Sequence, residues 1–266
     1  MISNLRRLLR YRALIQSLVA RDLKARYRGS VLGLLWSFVN PLLLLLIYTF
    51  VFTVVLRDFR GGGVEPFALF MFCGILPWTW FSSSLLESSN VLIAGGNLIR
   101  KVLFPAEVLP IVTVFAGMMH FFLGFPILAA FFVYYRDQVP VYAPDLLWLP
   151  VIVLVQLVFT LGLALLLSSL TVHFRDLRDL LANVLTLWFF ATPIIYPLSV
   201  VPEGVRRLLN LNPFTHIAVA YQEVLFVSAP FTAWPRLLLV GAASLGVFAC
   251  GYFVFDRLRD TLAEEV

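Results

Sequence analysis

The hydrophobic positions of this 266-residue chain fall into long unbroken runs rather than short amphipathic repeats. Six runs of 18 or more mostly apolar residues can be drawn, over 31–56, 67–93, 109–135, 146–170, 180–198 and 237–255. As a helix, each would cross about 30 Å of hydrocarbon. Only helices and closed barrels satisfy their own backbone in that medium. The pattern therefore predicts an all-α integral membrane protein with six transmembrane helices. Pro41, Pro77, Pro126, Pro150 and Pro193 lie inside the runs and are read as kinks, since neighbouring helices can re-satisfy the freed carbonyls.

Three intervening stretches carry patterns of their own. Over residues 2–28, Ile2, Leu5, Leu8, Leu9, Ile15, Val19 and Leu23 share one helical face, at about 100° per residue, while Arg6, Arg7, Arg10, Arg21, Lys24 and Arg28 gather opposite. Arg12, Leu14 and Leu18 break that pattern. Such a helix lies in the membrane interface with its cations near anionic head groups, as a plain anchor or as a partner contact. Between the second and third runs, Gly95-Gly96 ends a helix, Asn97 can cap a short one bearing Arg100 and Lys101, and Pro105 ends it. This suits an interfacial turn or a segment that docks on another protein. The connector 199–236 is long yet apolar. Pro202 can open a short helix through Leu209, and Asn212-Pro213 is a good N-cap and first-turn pair for another reaching about Phe226. Neither is long enough to cross, so both are expected to dip in from the outer side and return. The chain thus divides into an interface helix (1–30), a transmembrane domain (31–256) holding the 94–107 loop and the re-entrant 199–231 stretch, and a cytoplasmic tail (257–266).

Composition agrees. Hydrophobic residues make up 61%, charged residues 13%, and the mean hydropathy is +0.93, whereas a soluble domain carries roughly a quarter charged residues. The net charge of +5 does not indicate nucleic acid, because the cations sit at the edges of the runs. Placing both termini in the cytoplasm puts 14 of the 20 Lys and Arg inside: those from Arg6 to Arg28, Arg100, Lys101, Arg175, Arg178, Arg257 and Arg259. Arg57, Arg60, Arg136, Arg206, Arg207 and Arg236 fall outside, and this asymmetry sets the orientation. The basic N-terminus lacks an early apolar core ending in small residues, so no cleavable leader is expected. Cys73 and Cys250 both lie in apolar runs and suggest neither a disulfide framework nor a metal site.

Several chemistries are excluded. The only lysines are Lys24 and Lys101, and neither follows a glycine, so the chain has no P-loop for ATP. It also lacks a GxSxG elbow and an HExxH helix. What the runs do carry is weakly polar stripes. Gly33, Ser37, Asn40, Leu44 and Tyr48 align in the first run; Thr79, Ser83, Glu87 and Asn90 in the second; Asn183, Thr186, Phe190 and Pro193 in the fifth. Hydroxyls, amides and rings suit a polar, uncharged chain sliding past, and they also suit helix–helix contact. Of the ionisable groups, Glu87 near a span end suits packing or gating, His120 a structural hydrogen bond, and Glu223 an outer cavity or a partner. No midplane set of carboxylates is present. Trp36, Trp78, Trp80, Trp148 and Trp234 fall near run ends, where an aromatic belt accounts for them.

A family resemblance adds to this. Arg21-Asp22-Leu23-Lys24, Arg26-Tyr27, Ser30-Val31-Leu32-Gly33, Leu35-Trp36 and Asn40-Pro41 are followed by Gly74-Ile75-Leu76-Pro77-Trp78 and Asn97-Leu98-Ile99-Arg100-Lys101. Phe104-Pro105, Phe174-Arg175-Asp176-Leu177, Thr192-Pro193-Ile194-Ile195-Tyr196-Pro197 and Asn212-Pro213 come next. In this order and spacing, the chain resembles the polysaccharide and polyol-phosphate export permeases of the ABC-2 class, which include O-antigen, capsule and teichoic-acid exporters.

The resemblance implies a homodimer in the bacterial cytoplasmic membrane, bound to two separate ATPase subunits that hold ATP and Mg. This chain would then have no cofactor and no catalytic or metal residue of its own. Asn97, Leu98, Arg100, Lys101 and Phe104 would form the coupling helix against the ATPase, and Glu203, Pro213, His216 and Glu223 would belong to an outer gate. A lipid-linked polysaccharide would pass between the protomers along the first and fifth spans, past Ser37, Asn40, Tyr48, Asn183, Thr186 and Phe190. An ABC-2 exporter of drugs or small lipids shares these features. A membrane-embedded glycan-assembly enzyme would need an acid, base or metal set, and an ion-coupled transporter would need inverted repeats and midplane carboxylates.

Overall fold

The computed structural model describes residues 11–26, 29–30, 32–55, 64–96, 105–139, 143–227 and 230–265, with the side chains at 26, 34, 37, 52, 53 and 260–265 outside that description. Among the described residues there is no strand. The α-helices are α1 (Arg12–Arg26), α2 (Trp36–Phe50), α3 (Phe67–Ala94), α4 (Val108–Tyr134), α5 (Leu149–His173), α6 (Leu177–Phe190), α7 (Glu203–Leu209), α8 (Pro213–Phe226) and α9 (Trp234–Glu265). Four stretches are long and apolar enough to cross a membrane: Phe67–Ala94, Val108–Tyr134, Ala143–His173 and Trp234–Arg259.

α3 sits at the centre. Every residue from Phe67 to Trp78 is buried, because α4, α5 and α8 pack around it. The Trp80 indole donates to the Val114 carbonyl of α4 (3.1 Å), and Gly117 lets the helices close: a Cβ there would lie 2.6 Å from Ser84 Oγ. The most extensive pairing joins α5 and α9. Its crossing needs two glycines, since a Cβ on Gly162 would reach the Phe248 backbone and one on Gly251 would overlap the Gly162 carbonyl. Gln156, fully buried on α5, donates to the Pro77 carbonyl (2.8 Å), satisfying its amide hydrogen in an apolar setting.

Several expectations change. Trp78 and Trp80 are 7% and 2% exposed; they belong to the helix-packed core and not to an interfacial belt. Trp78 instead meets Phe214 edge-on at 5.1 Å. Pro150 is no kink: it occupies the first turn of α5, where its missing N–H has no intrahelical partner to lose. The fifth run also ends early. α6 stops at Phe190 after 14 residues, about 21 Å at 1.5 Å per residue, and a turn follows over 191–196. Pro193 would clash with the carbonyl four residues back were the helix to continue, so here proline ends the helix. The first run is helical over Trp36–Phe50 and passes into a π-helical turn at Val51–Val55.

α1 packs on protein. Leu18, a residue that broke the amphipathic pattern, is its most buried side chain, set against Val108 and Val112 at the start of α4, with Tyr11, Leu14, Ile15 and Val19 around it. The buried face therefore centres on Leu18, flanked by Leu14, Ile15 and Val19, and residues 1–10 lie outside the described residues.

Candidate translocation surface

Thr79, Ser82 and Ser83 leave the buried face of α3 and form the floor of two cavities. On one side α2 and α4 enclose about 220 Å³, lined among others by Trp36, Asn40, Leu44, Thr79, Ser83 and His120. On the other, α6 borders an open recess of about 500 Å³ with Trp78, Ser82, Ser83, Leu86, Thr186 and Phe189. Ser83 borders both. α2 and α6 thus stand as walls on either side of the α3 hydroxyl stripe. Among the described residues, neither lining includes Asp, Glu, Lys or Arg.

The hydroxyls are oriented by their own helices. Thr79 Oγ1 donates to the Ile75 carbonyl (2.8 Å), Ser83 Oγ to Trp80 (3.3 Å) and Thr186 Oγ1 to Ala182 (3.0 Å). Asn183 Nδ2 likewise donates to the Asp179 carbonyl (3.2 Å). With these hydrogens engaged, each hydroxyl still has lone-pair capacity to accept from another donor. The described lining is thus uncharged and mostly apolar, with aromatic edges and a few hydroxyls that can accept hydrogen bonds from a passing polyhydroxyl chain.

The sequence-selected residues divide among these surfaces. Asn40 and Thr186 line the two cavities. Asn183 and Phe190 are exposed on α6 but outside the cavity lining. Tyr48 is half-buried and packs against the main core. Ser37 lies in α2, with its side chain outside the described residues. Asn97, Leu98, Arg100, Lys101 and Phe104 all fall in 97–104, also outside them. Ser82 and Phe189 line the groove without having been singled out; Phe189 adjoins Phe190 in an aromatic pair that sequence alone does not orient.

A second constellation fastens the end of α6. Asn212 uses its whole side chain: Oδ1 accepts from Trp188 Nε1 (2.8 Å) and the Phe214 amide (3.0 Å), and Nδ2 donates to the Ala191 carbonyl (3.1 Å) and Thr192 Oγ1 (2.9 Å). Thr192 Oγ1 in turn donates to the Trp188 carbonyl (2.8 Å). Gln222 of α8, buried, donates to the Pro193 carbonyl (2.9 Å), and Tyr196 Oη to that of Phe190 (2.8 Å). Gly74 leaves room for this turn, since a Cβ there would be 3.2 Å from Ile194 Cγ2 and 3.1 Å from the Gln222 amide. Side chains therefore satisfy the 190, 191 and 193 carbonyls where the helix gives way to the turn. The Asn-Pro pair signals the α8 cap, but not the three bonds that reach back to 188–192.

Beyond the turn, Pro213 opens α8 and His216 Nε2 lies 2.9 Å from the Asn210 carbonyl. Since a carbonyl only accepts, this bond puts a proton on Nε2. Glu223 Oε2 accepts from the Thr232 and Ala233 amides (3.3 and 3.2 Å), just ahead of α9, a favourable place for an anion. Glu203 is exposed in the first turn of α7.

Comparison with known proteins agrees with this architecture. The profile of the ABC-2 type transporter family matches residues 13–226. An O-antigen export system permease protein RfbA from Myxococcus xanthus is 40% identical over 268 residues, covering 100% of both chains. Two proteins of the same name from Klebsiella pneumoniae are 32% and 31% identical over 247 residues, each covering 92% of this chain and 91% of the relative.

Proposed function

The chain belongs to the ABC-2 type transporter family, and from that premise we propose that it is the permease of an ATP-driven exporter moving lipid-linked O-antigen polysaccharide across the bacterial cytoplasmic membrane. The observation that carries this reading is the charge-free groove floored by Thr79, Ser82 and Ser83 and walled by α2 and α6. Sugar hydroxyls meet oriented acceptors there, and sugar faces meet Phe189. The names of the full-length relatives support the same substrate class.

A second copy of the chain closes the groove into a channel. Six passes follow if α2 with its π-helical extension forms the first, since these 20 residues reach about 30 Å, and α6 with the 191–200 segment forms the fifth. Both termini then face the cytoplasm. A separate ATPase subunit holds ATP and Mg and engages 97–104, consistent with a chain that has no P-loop. α7 and α8 form the outer gate.

Groove obstruction tests the reading. Ser83→Trp fills the space shared by both cavities and is expected to lower surface O-antigen at least tenfold in cells, with normal membrane levels of the chain and normal recovery of the ATPase subunit. Undiminished export would remove the groove from the path. ATPase stimulation by hydrophobic drugs, but not by a lipid-linked glycan, would assign a different cargo.

A further inference from the structure

We infer that the structure carries a phosphate-binding pocket for an outer-leaflet membrane lipid between the start of α8 and the first turns of α9. A cavity of about 370 Å³ lies there, lined by Asn210, His216, Pro235, Arg236 and Leu239. Neither the groove nor the turn at Asn212 uses these side chains.

The chemistry of the lining selects an anion. Arg236 is exposed in the first turn of α9 and makes no ion pair among the described residues, so its fork of donors is available for phosphate oxygens. The nearby charges do not cancel it. Glu223 is engaged with the amides of 232 and 233, and Glu203 lies on α7 outside the cavity lining. Arg206 is turned to the Ser199 and Val201 carbonyls (2.9 and 3.0 Å). The wall itself is braced, because His216 is held on the Asn210 carbonyl.

The surroundings select a lipid over a soluble phosphate. Leu239, in the lining, is 71% exposed. Below it Ala243, Gly246, Cys250 and Phe253 are exposed at alternating spacings of four and three, one face of the helix. This shallow apolar lane leads from the pocket along a membrane-length helix. An amphiphile that sets its phosphate at Arg236 can lay a hydrocarbon tail along the lane, whereas a free anion gains nothing from it. The occupant we assign is an anionic glycerophospholipid. The inference rests on the membrane embedding and the proposed orientation of α9 and not on the identity of the exported cargo.

Native mass spectrometry of the complete detergent-purified complex with its ATPase subunit provides the test, with phosphatidylglycerol as probe. Arg236→Gln is expected to weaken phosphatidylglycerol retention about tenfold, and Arg236→Lys to restore most of it. Arg207→Gln, a cation outside the pocket, should leave it within about twofold. Unchanged ATP hydrolysis certifies that each variant is folded. Equal losses with Arg207→Gln and Arg236→Gln would reduce the effect to general surface charge and overturn the site. Displacement of the lipid by millimolar inorganic phosphate would make it a soluble-anion site and overturn the lipid assignment. Because lipid retention is read rather than export, an error in the cargo assignment leaves this result unmoved.

Discussion

Single side chains decide where this chain stops being helical. Asn212 joins the last turn of α6, the 191–196 turn and the first turn of α8 through four hydrogen bonds. These bonds are partly shielded from water, and losing one partner of a shielded bond costs about 1–3 kcal/mol, because the other is left unsatisfied. Asn212→Ala is therefore expected to destabilise the chain by about 2 kcal/mol or more, read as a lower unfolding temperature in detergent and faster proteolysis between α6 and α7. Gln222→Leu should act in the same direction by orphaning the Pro193 carbonyl; Gln222→Glu, which keeps the shape but removes the donor, should not rescue it. The residue pair Asn212-Pro213 is visible in the sequence as a helix start. Its reach back to Trp188 and Ala191 is not, because those partners are 24 and 21 residues away.

Among elements, the two tightest associations rest on different physics. α5 and α9 approach until a Cβ on Gly162 would lie 2.6 Å from the Phe248 backbone nitrogen. Backbone cannot swing aside as a side chain can, so Gly162→Ala should fall at or above the upper end of the roughly 1–3 kcal/mol cost of overpacking. The measurement is the fraction of chain recovered folded from membranes. α1 instead is held by ordinary apolar burial around Leu18. Leu18→Ala should loosen it by about 2–5 kcal/mol, seen as faster hydrogen exchange confined to 12–26, whereas Leu23→Ala should have a smaller effect. The sequence shows that this segment is amphipathic, but averaging over 2–28 points to Ile15, Val19 and Leu23. The seat on Val108 and Val112 keeps Ile15 and Val19 in the contact but centres it on Leu18, with Leu14 also packed there. A helical wheel registers hydrophobicity around one helix and carries no information about the surface that meets it.

For the whole molecule, a large share of α6 and α2 is left uncovered in a single chain. Leu180, Leu187 and Phe190 are exposed at 58–71% along α6, and Leu46, Ile47 and Phe50 at 52–57% along α2. These two helices wall the hydroxyl stripe of α3, so the apolar surface that lipid or a second copy must cover adjoins the proposed path. If the second copy covers it, single cysteines replacing Leu187 or Ile47 should crosslink between protomers in membranes, while one replacing Leu239, on the lipid lane of α9, should not. Absence of crosslinks at both wall positions would place the protomer interface elsewhere.

By itself the sequence determined the class of protein. Length and continuity of apolar runs decide what can live in hydrocarbon, and that is a property of local strings. It also drew attention to Asn40 and Thr186, which border the two cavities, because polar residues in an apolar run stand out wherever they point. Only the tertiary structure decided that the fifth run breaks at Phe190, that Trp78 and Trp80 are core, and that Tyr48 packs inward while Ser82 lines the groove. Each of those depends on a partner distant in the chain: Gln222 for Pro193, Phe214 for Trp78, α6 for Ser82. Hydropathy reports whether a segment prefers to leave water. Which of its groups is then satisfied, and by what, is settled when the helices meet.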